Sequence, residues 1–177
     1  MSQLGFVARP LSRARIRAVA DAVRAVANCG SEMVDIVRLI ETQVPEWDPD
    51  FSFVVSSCDE LGENHALTHV RERIIEVRSD IYDGACNGLG RDRMTLGHEL
   101  GHLILHQEIH LARRMSDEPL KAYLDPEWQA TAFAGELLMP LSIYRTMKNP
   151  EDAANVFGIS ELAVQTQVRA WIREGLL

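Results

Sequence analysis

Hydrophobic positions in the first part of the chain recur every three or four residues. Ile16, Val19, Ala20, Val23, Val26 and Ala27 keep helical spacing behind Ser12, whose hydroxyl suits an N-cap. That pattern predicts an amphipathic helix over about residues 12–28, ended by Asn28-Cys29-Gly30. Ser31 then predicts the cap of a second helix with Val34, Val37, Leu39 and Ile40 inside, broken by the turn-rich Pro45, Asp48, Pro49 and Asp50. Beyond the break the apolar runs shorten. Phe51–Val55, Ala66–Val70 and Arg73–Val77 are strand candidates separated by short, turn-like intervals, which predicts an antiparallel meander. Three glycines between Asp83 and Gly90 predict a loop.

Helical spacing returns from about Asp92 to His106, with Leu96, Leu100, Leu103 and Ile104 on one side. A further helix is framed by Asp125 as N-cap, Pro126 at the first helical position and Pro140 as its stop. Near the end, Ala153, Ala154, Phe157, Gly158, Ile159, Ser160, Ala163, Val164 and Val168 read as a helix–turn–helix, with Gly158 in the turn and Ser160 as cap. The expected architecture is α+β: mainly helical with a small antiparallel-type sheet. Residues 1–145 form the main domain, and residues 146–177 form a helical pair packed on it.

Charge and composition narrow the classes. The chain carries a net charge of −8, so its body has no general attraction to phosphate backbones. Arg9, Arg13, Arg15, Arg17 and Arg24 against Asp21 give the first 24 residues +4, leaving −12 in the other 153. This basic stretch reads as a solvated helix face, or as an arm for an acidic surface or nucleic acid. In the C-terminal pair, Glu151, Asp152 and Glu161 flank the turn while Arg169 and Arg173 come late in the second helix. A DNA-reading helix places its basic and polar groups early, so this pair is expected to pack on the body or dock a protein, not to bind DNA. No basic leader precedes an apolar run, and no stretch approaches membrane-spanning length. Three widely spaced cysteines, Cys29, Cys58 and Cys86, fit free thiols in a reducing compartment, and the expected location is the cytoplasm. Cys86, although a dozen residues before the histidine pair, reads as an ordinary thiol.

The chemistry gathers at His98-Glu99-Leu100-Gly101-His102. On a helix the two histidines lie within about 40° of each other and can hold one Zn²⁺, while the glutamate between them can take a proton from water. Their ligand types favour Zn²⁺, one per chain, over Mn²⁺ or Fe²⁺. Gly97 and Gly101 each cost about 1 kcal/mol of helix propensity, which makes sense if another backbone comes close. His106 cannot be a third ligand. It lies eight residues from His98, about 12 Å along the axis. It fits a supporting contact or the helix end, and His110 fits the surface. His65 and His69 flank a strand candidate and read as structural or exposed, with a supporting place in the cleft open to either. Leu105 and Glu108 stand where a metzincin needs Gly and His.

The missing ligand is then sought on the helix after Asp125. Glu127 and Glu136, nine residues apart, face opposite ways. Glu127 shares its face with Ala130, Thr131 and Ala134, small enough for close helix packing, whereas Phe133 beside Glu136 would hold a neighbour away. Glu127 is therefore the candidate. Tyr144, Tyr123, Tyr82 and His106 are candidates to stabilise an oxyanion, and Arg73–Val77 is a candidate edge strand for an extended substrate.

The run Arg91-Asp-Arg93-Met-Thr95-Leu-Gly-His98-Glu-Leu-Gly-His102, with Glu127-Trp-Gln-Ala130 and Phe133-Ala-Gly-Glu-Leu-Leu-Met-Pro140, resembles the ImmA/IrrE family of metallo-endopeptidases. Gly97 departs from it, where the family often has Ala. The resemblance implies a compact zincin-like fold, a metal held by His98, His102 and Glu127, and Glu99 as the catalytic base. It also implies a substrate class: helix-turn-helix repressors of bacteria or their mobile elements, cleaved to relieve repression. The competing class is a silent peptidase-like binding protein, of toxin–antitoxin type or a DNA-binding regulator. The intact ligand set with Glu99 favours the enzyme.

Overall fold

The computed structural model describes residues 6–30, 33–106, 112–113 and 120–177. A short strand β1 (Phe6–Val7) leads into α1 (Arg13–Val26), capped as expected by the Ser12 side chain on the Arg15 N–H. A nearly continuous helical run follows: α2 (Ile36–Arg38), a π-helical turn over Leu39–Gln43, and α3 (Val44–Trp47). Next come β2 (Ser52–Ser56), the single-turn α4 (Cys58–Leu61), β3 (Ala66–His69), β4 (Ile74–Arg78) and α5 (Ser79–Cys86). The long α6 (Gly90–Leu105) precedes β5 (Ala112–Arg113), a 3-10 turn over Ala122–Leu124 and α7 (Pro126–Leu138). The chain ends in α8 (Leu141–Tyr144), a 3-10 turn over Pro150–Asp152, α9 (Ala153–Phe157) and α10 (Glu161–Arg173). The result is a mostly helical α+β fold.

Several expectations are corrected. The sheet is mixed, not an antiparallel meander: its order is β2-β4-β3, with β4 parallel to β2 and antiparallel to β3. The cause lies between β2 and β3. Ser57 and Glu60 form a reciprocal cap on α4, which carries the chain past the position beside β2 that β4 then fills. Ile75 and Val77 of this central strand are wholly buried. Because β4 is paired on both sides, the candidate substrate edge at Arg73–Val77 is the central strand of this sheet, and its edges are β2 and β3. The expected loop over Asp83–Gly90 is helical to Cys86. Gly84 suits that helix because the Asp92 carboxylate sits where a Cβ would go. The second helix is capped by Asp35 and continues through Pro45 to Trp47. The Ser31 cap lies outside the described residues, as does His110.

Neither reading of the N-terminal arginines survives whole. Arg13 and Arg17 each place Nε 2.9 Å from a Glu136 oxygen, and Arg17 also reaches Glu174 at 2.7 Å. Arg24 is buried and donates to the Leu137 and Cys29 carbonyls. Part of the basic stretch thus binds the chain's own acidic groups. Trp171 Nε1 donates to Glu136 as well, at 3.2 Å, which ties α10 to the same carboxylate.

The C-terminal pair forms the expected turn, with Gly158 left-handed at φ 60° and Ser160 capping α10. It packs on the start of α6. Backbone of Ile159 and Ser160 fills the space a Cβ on Gly90 would need, and Arg93 donates to the Gly158 carbonyl at 2.7 Å. Trp171 is wholly buried and Leu176 is packed against the core, but Ile172 points outward.

The most extensive helix contact joins α6 to α7. A Cβ on Gly101 would stand 3.0 Å from the Ala130 Cα and carbonyl oxygen, whereas one on Gly97 would meet mainly the Ala134 methyl at 3.2 Å. Ala adds about 1 kcal/mol of helix propensity at either site. At Gly101 the obstacle is backbone, so overpacking of about 1–3 kcal/mol should outweigh that gain. At Gly97 the two effects should nearly cancel. Urea unfolding of Gly101→Ala and Gly97→Ala checks this contrast, with the lower midpoint expected for Gly101→Ala.

Candidate metal centre

α6 buries Leu96, Leu100 and Leu103 completely and turns the opposite face to α7. On that face His98 Nε2 and His102 Nε2 lie 3.0 Å apart. Glu127, in the first turn of α7, puts Oε2 3.2 Å from His98 Nε2 and Oε1 3.5 Å from His102 Nε2. In a tetrahedral site with bonds of roughly 2.0–2.1 Å, two ligand atoms stand about 3.3–3.4 Å apart. The two imidazole nitrogens and the Glu127 carboxylate, which reaches each nitrogen through a different oxygen, therefore converge at about the spacing such a site needs. These three are also the residues that could share an ion among the described His, Cys, Asp and Glu.

Each imidazole is held from behind. His98 Nδ1 lies 3.2 Å from the Thr131 hydroxyl, and His102 Nδ1 lies 3.1 Å from His106 Nδ1. His106 caps the end of α6, is buried, and meets the Gln129 amide oxygen at 3.1 Å through Nε2. Burial pushes the His106 pKa down to about 4, so the ring is neutral at neutral pH. His102 and His98 beside it hold the Glu127 carboxyl well below the usual carboxylate range, which keeps an anionic donor in place.

Glu99 is buried beside this group. Thr68 of β3 places its hydroxyl 2.6 Å from Glu99 Oε2 and 3.0 Å from the Glu99 carbonyl oxygen. A cleft of about 350 Å³ opens next to it, lined among others by His65, Arg91, Thr95, His98, Glu99 and Thr131. Arg91 stands 3.2 Å from His65 Nε2 on its wall.

The structure brings His98, Glu99, His102, Glu127 and His106 together and places the other candidates elsewhere. Tyr144 packs on Trp171, ring centroids 5.2 Å apart, on the side of α7 that carries Glu136. It belongs to the contact with α10, not to the metal group. Tyr82 donates to Glu41 at 2.7 Å, and Tyr123 is exposed beside Lys121. Cys86 is an exposed free thiol at the end of α5. Glu136 is turned away as expected, though for a different reason. Phe133 does approach α6, 3.1 Å from a Cβ on Gly101, and it is Arg13, Arg17 and Trp171 that claim Glu136. The roles of Thr68 and Gln129 had no sign in the linear pattern, because strand β3 and the helix ends meet the site only after folding.

Two histidines from one helix and a carboxylate from its neighbour, with a buried glutamate alongside, define a candidate mononuclear metal centre of the hydrolase kind. A family model described as the IrrE N-terminal-like domain of peptidase family M78 matches residues 60–168, more than half of the chain. The chain belongs to this family, the ImmA/IrrE peptidases. A comparison with curated proteins finds no match. Among the described residues no helix is long and apolar enough to cross a membrane.

The two carboxylates of α7 should behave oppositely on substitution. His98→Ala and Glu127→Ala should lose tight zinc binding, whereas Glu136→Ala should keep it. Removing Glu136 leaves two arginines without their buried partner, a loss of about 3 kcal/mol. Zinc analysis after dialysis and a thermal melt separate the two outcomes.

Proposed function

We propose that the chain is a zinc-dependent endopeptidase of zincin-like fold. Its target is a peptide bond in a specific cytoplasmic protein, a helix-turn-helix repressor whose cleavage relieves repression. The observation that carries this reading is Glu99, buried and hydrogen-bonded to Thr68 beside three convergent donors. A structural metal site needs no such carboxylate. The donor set fits Zn²⁺, with His98, His102 and Glu127 as its holders and one coordination position left open. A bound ion would supply Lewis acidity, raising the acidity of a water and polarising the peptide carbonyl.

Glu99 then has two tasks. It accepts the proton of the attacking water and returns it to the leaving amine. Thr68 donates to one carboxylate oxygen and so leaves the other for the water. Substrate is best supplied as an extended segment on β3, the sheet edge that already touches Glu99. This replaces the paired Arg73–Val77 as the docking edge. Oxyanion stabilisation falls to groups on the cleft wall, where His65 and Arg91 stand. Residues 146–177 act as a brace on the start of α6, not as a DNA reader, a role supported by the Gly158–Arg93 contact. The free thiols Cys29, Cys58 and Cys86 fit a reducing compartment.

The test is co-expression with a candidate helix-turn-helix repressor, followed by mass measurement of its fragments. Glu99→Gln should keep one zinc per chain and lose about 100- to 10,000-fold in cleavage rate. Thr68→Val should lose less, about tenfold, at unchanged zinc content. Cleavage by Glu99→Gln at the wild-type rate would sink the mechanism. A DNA shift without fragments would move the chain to the class of binding proteins.

A further inference from the structure

We infer that Gln129 and His106 are a positioning pair that fixes the tautomer of His102, keeping its proton on Nδ1 and its Nε2 lone pair bare toward the ion. This rests on the metal-centre reading above, and it follows from counting hydrogens along one chain of contacts.

The chain starts at Gln129, which is wholly buried. Its Nε2 lies 2.8 Å from two carbonyl oxygens, those of Arg9 and Tyr123. Carbonyls only accept, so both amide hydrogens are committed there and the amide cannot be reversed. Its Oε1 must therefore accept from His106 Nε2, 3.1 Å away. A neutral imidazole carries one N–H, so His106 Nδ1 holds a lone pair. The group facing that lone pair at 3.1 Å is His102 Nδ1, which must donate. That uses the single proton of a neutral His102 and leaves Nε2 unprotonated, 3.0 Å from His98 Nε2 and 3.5 Å from Glu127 Oε1.

The two ligand histidines differ in this respect. His98 Nδ1 faces a threonine hydroxyl, which can donate or accept, so its tautomer is free to follow the ion. His102 faces an acceptor fixed by backbone carbonyls two residues further along the relay. A histidine side chain left in water favours its proton on Nε2, the atom the ion needs. The relay removes that competition before the ion arrives. It also links the centre to the seating of the N-terminal segment, since the Arg9 carbonyl is one of its two anchors.

Two measurements on the full chain test the inference. Long-range ¹⁵N–¹H correlation of the histidine rings in metal-free wild type, with His102 assigned by its loss in His102→Gln, should show the Nδ1–H tautomer at His102. A proton on Nε2 there would overturn the relay, whatever the activity. In the second, Co²⁺ is titrated against a competing chelator and read by its visible absorption. His106→Phe keeps a ring and removes the acceptor, and should weaken Co²⁺ binding about 10- to 100-fold at one ion per chain. Gln129→Met frees His106 to take either tautomer, and should weaken binding in the same direction while giving a tautomer mixture at His102. Wild-type affinity in both variants would overturn the relay. Wild type that takes up no Co²⁺ would sink the metal centre itself, and the ring spectra would still decide the tautomer.

Discussion

Everything at the candidate centre depends on how closely α6 and α7 approach. A carboxylate on one helix can share an ion with imidazoles on another only if the backbones are nearly in contact. Gly101 against Ala130, and Gly97 against Ala134, provide that approach. The same contact positions Thr131 behind His98 and Gln129 behind His106. One stretch of small residues therefore sets both the ligands and the groups that orient them. The helix-propensity cost of the two glycines is offset by what the contact makes possible.

α7 carries one carboxylate on each of two opposed faces, one exposed and one buried, and each is matched differently. Glu127, largely exposed, faces two imidazoles. Glu136, wholly buried, faces Arg13, Arg17 and Trp171. A buried carboxylate without such partners would cost several kcal/mol, so α1, α7 and α10 are held together at this point. Arg93 does the same at the start of α6, spanning from the Gly158 carbonyl to the Val34 carbonyl. The metal helix is thus fixed at its start by the C-terminal pair and along its length by α7. That rigidity is what a preorganised centre requires.

Much of this was legible in the linear pattern. The period of α1, the Ser12, Asp125 and Ser160 caps and the turn at Gly158 rest on local chemistry. The opposed faces of Glu127 and Glu136 follow from helix geometry alone. What could not be read was decided by tertiary contact. Gly84 suggests a loop until Asp92 is seen occupying its missing side chain. The parallel pairing of β2 with β4 depends on where α4 sends the chain. Tyr144 was a fair oxyanion candidate by type, yet its ring serves the packing of Trp171. The basic N-terminus looked like a solvated face or a docking arm because its partners, Glu136 and Glu174, lie more than a hundred residues away.

The central claim is that two imidazoles of α6 and one carboxylate of α7 form a single metal shell. X-ray absorption of the zinc-loaded chain tests it most directly. The account predicts four light donors at about 2.0–2.1 Å, with the outer-shell scattering of two imidazoles and no sulfur. A sulfur shell near 2.3 Å, or a first shell without imidazole scattering, would contradict it.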